Sequence, residues 1–160
     1  MTVHINYLTN EGKGKLEEEL KERETKLRRE IAERINAAKE LGDISESGEY
    51  EDAKKESGFN EGRIKEIRDI LANHQIIEDD IVDGENAKIR IGNTVTIRFA
   101  GDTVDEDYRI VGSAESNPGN GMISNESPLG MALIGHKVGD VVSFQGPSNN
   151  IIKCTVKAIK

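Results

Sequence analysis

The chain has no tryptophan, a single cysteine and only three prolines, and its aromatic residues are three Tyr and three Phe among 160 residues. One cysteine, Cys154, excludes an internal disulfide and any multi-cysteine zinc site. No apolar run approaches the roughly 18 to 20 residues a bilayer-spanning helix needs. The opening stretch MTVHINYLTN lacks the apolar segment of a secretory signal. The expected compartment is therefore the cytosol. Positive charge is also short: 22 Lys/Arg stand against 30 Asp/Glu, for a net charge of -8. That balance excludes a protein that holds duplex nucleic acid by neutralising phosphates in bulk. The length itself suffices for one medium domain or two small ones.

What is present is divided unevenly. Residues 1–80 hold 14 Lys/Arg and 21 Asp/Glu, for a net of -7, and no proline; the remaining residues hold 8 and 9, with Pro118, Pro128 and Pro147. A charge-dense, proline-free half followed by one punctuated with Pro and Gly predicts a helical module joined to a β-rich one. The expected boundary puts a hairpin at 1–78 and a β-rich domain at 79–160, with the joint near Asp79 to Ala87. In the first half, apolar residues recur at Leu16, Leu20, Leu27, Ile31, Ile35, Ala38 and Leu41, a narrow helical stripe that Thr9 can cap and Gly42 can end. Tyr50, Ala53, Ser57, Ile64, Ile67 and Leu71 form a second stripe, weak in its middle where Gly58 and Gly62 lower helix propensity. Phe59 is expected to pack in the core. Two such helices with a short connection predict an antiparallel hairpin projecting as a rod of roughly 48 Å at about 1.5 Å per residue.

In the second half, 88–92, 94–99, 107–112, 141–144 and 151–159 read as strands, and 127–135 as a short helix opening at Ser127 with Pro128 in first position. The fold class is α+β: a helical hairpin followed by an antiparallel β domain with one short helix. Cys154 alternates within its strand and reads as a small buried hydrophobe. His4, His74 and His136 are far apart and have no ligand spacing.

Between Lys39 and Lys54 there is no cation, while Glu40, Asp43, Glu46, Glu49, Glu51 and Asp52 gather around the expected bend. One reading is a solvated helix start, with Asp43-Ile44-Ser45-Glu46 resembling a capping box and acids favouring the positive helix end. The other is a hard-cation site. Mg2+ prefers carboxylate oxygens and needs few of them when phosphates or other carboxylates complete the shell. Composition alone does not choose between them. Lys39, Lys54, Lys55, Arg34 and Arg63 lie on the arms behind the bend, either as a small phosphate-guiding patch or as ordinary ion pairs such as Glu30 with Arg34.

Three segments, 42-GDISESGEY-50, 58-GFNEGRIKEI-67 and 127-SPLGMALIGHKVGD-140, resemble the bacterial GreA/GreB transcript cleavage factors in order and spacing, over essentially the whole chain. The family's tip reads approximately G-D-L-S-E-N-A-E-Y. Gly42, Asp43, Ser45, Glu46, Glu49 and Tyr50 are kept, Ile44 replaces Leu, and Ser47-Gly48 replace Asn-Ala without removing a carboxylate. The modest basic patch makes the resemblance closer to GreA. It implies a coiled-coil hairpin and an FKBP-like C-terminal domain, acting on bacterial RNA polymerase through its secondary channel. It further implies that Asp43 and Glu46 help hold the second Mg2+ of the polymerase active site and position a water, so that the polymerase cleaves its own backtracked transcript. The free protein would then bind no metal, carry no cofactor of its own and be no enzyme. Lys39, Lys54, Lys55 and Arg34 would meet the nascent RNA 3′ end. The resemblance implies no membrane partner, and a monomer is expected. Two alternatives stand beside this one: an inhibitor that blocks the same channel, and a peptidyl-prolyl isomerase suggested by the FKBP-like half. The isomerase needs an aromatic-lined pocket, and residues 81–160 offer only Phe99, Tyr108 and Phe144.

Overall fold

The computed structural model describes residues 5–40, 48–77 and 87–160. The chain divides into two compact units, one built from Glu11–Asn73, the other from the segment ending at Asn10 together with His74–Lys160. Most of the expected joint at 79–87 lies outside the described residues, as do Leu41 and Gly42, the expected end of the first helix.

The first unit is the helical hairpin. Helix α1 (Asn10–Glu22) runs into a π-helical turn (Arg23–Leu27) and on into α2 (Arg28–Glu40); α3 (Gly48–Ala72) returns. The expected single first helix is thus helical throughout but carries a π turn at its centre. Leu16, Ile31 and Ala38 on one arm and Ala53, Ile64 and Ile67 on the other are buried along the seam. Ion pairs flank the seam from arm to arm: Arg63 with Glu19 at 3.0 Å, Arg68 with Glu24, Arg28 with Glu61 at 2.8 Å, and Arg34 with Glu56. Apart from Glu24 with Arg68, the residue numbers of these pairs rise on one arm as they fall on the other, as an antiparallel hairpin requires. Each exposed pair contributes little, about 0.2–1 kcal/mol, so burial of the seam holds the arms and the pairs align them.

Phe59 departs from expectation. It is 80% exposed on α3, because the heptad steps Ala53, Asn60 and Ile67 turn the neighbouring position outward.

In the second unit, β1 (Asn6–Leu8) pairs in parallel with β2 (His74–Ile76), a two-stranded sheet that periodicity did not announce. Leu8 is fully buried. The Thr9 amide and hydroxyl both donate to the Glu115 carboxylate at 2.6 Å. The main sheet contains β3 (Thr94–Phe99), β4 (Glu106–Val111), β5 (Met122–Ser124), β6 (Val141–Gln145) and β7 (Ile151–Ile159), ordered β5-β4-β3-β7-β6. Its pairings are antiparallel except β4–β5, which is parallel. The expected antiparallel sheet is therefore mixed. Segment 88–92 is not a strand; the Arg90 amide donates to the Asn93 side chain at 2.8 Å and closes a turn instead. Helix α4 (Pro128–Leu133) opens as expected, with the Ser127 hydroxyl accepting from the Gly130 amide at 3.1 Å. The core gathers Ile89, Val95, Ile97, Ile110, Leu133 and Val142 around Cys154, which is buried. Phe99 packs edge-on to Tyr108 and tilted against Phe144, each at 6.5 Å between centroids. Phe99 thus packs against both of the other rings, and all three lie partly buried against the margin of this core.

Candidate functional site at the closed end of the hairpin

Asp43 and Glu46, the two acids the sequence singles out, lie outside the described residues, in the 41–47 segment that links α2 to α3. The structure describes the two helix ends that hold this segment, and the cations next to it. Helix α3 begins at Gly48 with Glu49 and Glu51 in its first turn. There the unpaired amides of a helix start favour negative charge, so these two acids have a local structural reason to be present.

The cations separate into two kinds. Arg34 is committed across the seam to Glu56, not to Glu30 on its own helix. Arg63 is held by Glu19 and Glu66, both at 3.0 Å. Lys55 lies 3.9 Å from Asp52. Lys54 extends over the Tyr50 ring, its ammonium 5.9 Å from the centroid, close enough for a cation–π contact. Lys39 is exposed and makes no ion pair with a described residue. Of the predicted patch, Lys39 and Lys54 therefore carry ammonium groups that no described carboxylate neutralises, one on each arm. A groove between the arms is lined by Arg34, Ala37, Ala38, Glu49 and Asp52. The buried Ala38 and Ala53 let the helices approach closely beside it.

Further down the hairpin the electrostatics are tighter. The Arg63 guanidinium, helped by Arg23, holds the Glu19 carboxyl at about 2, against the opposing effect of burial. Glu19 reciprocally raises Arg63, and Arg28 lowers Glu61. These groups remain ionised at neutral pH and serve the hairpin itself. Sequence reasoning missed Asn60, a polar residue 3% exposed on the seam. Its place in the heptad series Ala53, Asn60, Ile67 was the signal that could have marked it.

Among the described residues, no helix is long and apolar enough to cross a membrane. Two family models match the chain: "Transcription elongation factor, N-terminal" over residues 6–76, and "Transcription elongation factor, GreA/GreB, C-term" over residues 84–160. The "Transcription elongation factor GreA" of Roseiflexus sp. (strain RS-1) is 53% identical over 154 residues, covering 96% of each chain. That of Chloroflexus aurantiacus (strain ATCC 29366 / DSM 635 / J-10-fl) is 49% identical over 160 residues, covering 100% of each. Among solved structures, "GreA factor homolog 1 (Gfh1) protein of Thermus thermophilus" is 29% identical, with 98% of this chain and 99% of that one covered and a TM-score of 0.43.

Proposed function

The chain belongs to the GreA/GreB family of transcription elongation factors, and on that footing we propose that it enters the secondary channel of bacterial RNA polymerase and stimulates cleavage of backtracked transcripts. The observation that carries this is the retained G-D-x-S-E motif at 42–46, falling between the two arms of the hairpin. Here Asp43 and Glu46 act as donors to the polymerase's second Mg2+. Carboxylate oxygens are the donors this hard cation takes, and two of them leave most of its shell for water, the polymerase and the RNA. When bound there, the ion lowers the pKa of a coordinated water and stabilises charge on the scissile phosphate. The chain's own part is to orient: the two acids would place the ion and the attacking water.

Lys39 and Lys54 are the cations available to the phosphates of the extruded RNA 3′ end. Arg34 and Lys55, already paired, contribute less. The factor is no enzyme by itself and works in the cytoplasm where the polymerase is. With the division at 78/79, the hairpin carries the two orienting acids and the sheet domain holds the polymerase. The isomerase alternative has no support, since residues 84–160 match the family's own C-terminal model and the three aromatics pack on one another.

The test is transcript cleavage in stalled, backtracked complexes by the parent, Asp43→Ala and Glu46→Ala. Loss of a metal-positioning carboxylate should lower the rate by about 10²-fold or more with polymerase binding retained. Variants that cleave as well as the parent while bound would sink the proposal. A parent that slows nucleotide addition and releases no 3′ fragment would instead be the channel-blocking inhibitor.

A further inference from the structure

Leu16 and Ile31 are both buried on the hairpin seam, yet their numbers differ by fifteen, two heptads and one residue over. From Ile31 to Ala38, and from Ala53 through Asn60 to Ile67, the steps are clean sevens. A continuous first helix with one residue too many would swing Ile31 off the seam by roughly 100°. The π turn at Arg23–Leu27 absorbs that residue, with the Arg28 amide donating to the Arg23 carbonyl five positions back.

A π turn can sit at any of several positions between Leu16 and Ile31, and each gives α2 a different start. Something must choose. Asn60 faces this turn from the opposite arm: its side-chain amide donates to the Arg23 carbonyl at 3.2 Å, and its side-chain oxygen accepts from the Arg23 guanidinium at 3.3 Å. Arg23 also donates to Glu19 at 2.8 Å, and Glu19 accepts two bonds from Arg63 at 3.0 Å. The Thr25 hydroxyl donates to the Lys21 carbonyl at 2.7 Å, a bond that favours local bending of a helix. A buried Asn on a coiled-coil seam gives up stability and specifies register.

We propose that Asn60, with the π turn it grips, is a register lock: a positioning residue that fixes the height and rotation of α2 against α3. Its functional consequence rests on the cleavage reading above, because α2 leads directly into the segment bearing Asp43 and Glu46. Moving the extra residue past one position shifts part of the arm by about 1.5 Å and rotates it by roughly 100°. A misplacement of about 1 Å at a reacting centre is enough to cost about 10²-fold in rate.

The experiment uses Asn60→Leu in the full chain, with spin labels at positions 37 and 52 for distance measurement and Cys154 replaced by Ser in labelled proteins. The parent should give one narrow distance population. Asn60→Leu should remain helical by circular dichroism, since the change enlarges the apolar seam, but show a broadened or split distribution. Unlabelled Asn60→Leu should cleave backtracked transcripts about 10- to 100-fold more slowly at saturating factor, with polymerase affinity within about twofold of the parent. Deleting Thr25 in the Asn60→Leu background makes the Leu16–Ile31 step two whole heptads, needs no π turn, and should restore a single population. A narrow, parent-like distribution in Asn60→Leu overturns the lock, as does failure of the deletion to restore one. Broadening without slower cleavage overturns the positioning role. If the parent itself does not stimulate cleavage, the functional reading fails and the lock stands or falls on the distances alone.

Discussion

Substituting Gly112 by Ala isolates a single close approach. Gly112 has φ -67° and ψ 159°, a conformation open to any residue, so the change carries no backbone penalty. The whole effect comes from space. A Cβ on Gly112 would stand 1.8 Å from the Tyr7 carbonyl oxygen, 2.7 Å from its carbon and 3.2 Å from its Cα. Strand β1 must retreat by more than about 1 Å to reach van der Waals distance. Two features resist that retreat. Leu8, the next residue, is fully buried, and loss of such a side chain's packing costs about 2–5 kcal/mol. Thr9 gives two bonds to Glu115, which sits in the short 3₁₀ turn directly after Gly112; bonds to a charged group contribute about 1.5–3 kcal/mol each when kept from water. Partial relaxation spares some of both, so the expected destabilisation is about 3 kcal/mol. Urea unfolding followed by circular dichroism measures it. Gly119→Ala is the control, because its Cβ would meet only the Asn117 side-chain oxygen at 3.5 Å, an ordinary contact. If Gly112→Ala unfolds within about 0.5 kcal/mol of the parent, β1 is not wedged against this turn and the reasoning is wrong.

Glu19 supplies a pH-dependent test of the hairpin. Its carboxyl is depressed from 4.5 to about 2, so its contribution is present above the unfolded value and is lost as pH falls through the folded one. The full shift corresponds to about 3.4 kcal/mol; with the side chain 31% exposed, solvent screening reduces this to roughly 1–1.5 kcal/mol. The stability gap between parent and Glu19→Gln should be widest above about pH 5 and close as pH falls toward 2; a gap that grows in acid would contradict the assigned pairing. On α3, Ile64→Ala should destabilise by about 2–5 kcal/mol, whereas Phe59→Ser, at an exposed position, should stay within about 0.5 kcal/mol; thermal or urea unfolding of the two variants reverses the assignment if the order is inverted. Burial pushes the Cys154 thiol up, so a thiol reagent should label it slowly in the native state and quickly in urea; rapid native labelling would mean the sheet core is open.

The local parts of this protein were legible from its sequence because they are governed by interactions within a few residues. Strands 94–99 and 151–159 emerged with the bounds that alternation suggested. Ser127-Pro128 opened its helix through a bond only three residues long, and the helical stripes marked the seam of the hairpin. The G-D-x-S-E motif was legible for a different reason: it is a short pattern of residue types at fixed spacing, and the role proposed for it follows from the preference of a hard cation for carboxylate oxygens.

Tertiary structure decided where distant groups meet. Arg34 has an acid four residues away on its own helix yet pairs with Glu56 on the opposite arm, a choice that depends on the rotation of both helices. β1, β2 and β5 are three residues each, too short for alternation to register, and exist because a partner strand completes their hydrogen bonds. Gly112 looks like any loop glycine until Tyr7 is brought against it. The π turn is the clearest case. A surplus residue between Leu16 and Ile31 can be counted in the sequence, but where the helix accommodates it is set by a carbonyl of Arg23 finding Asn60 across the seam. Periodicity is a property of one helix; register is a property of two.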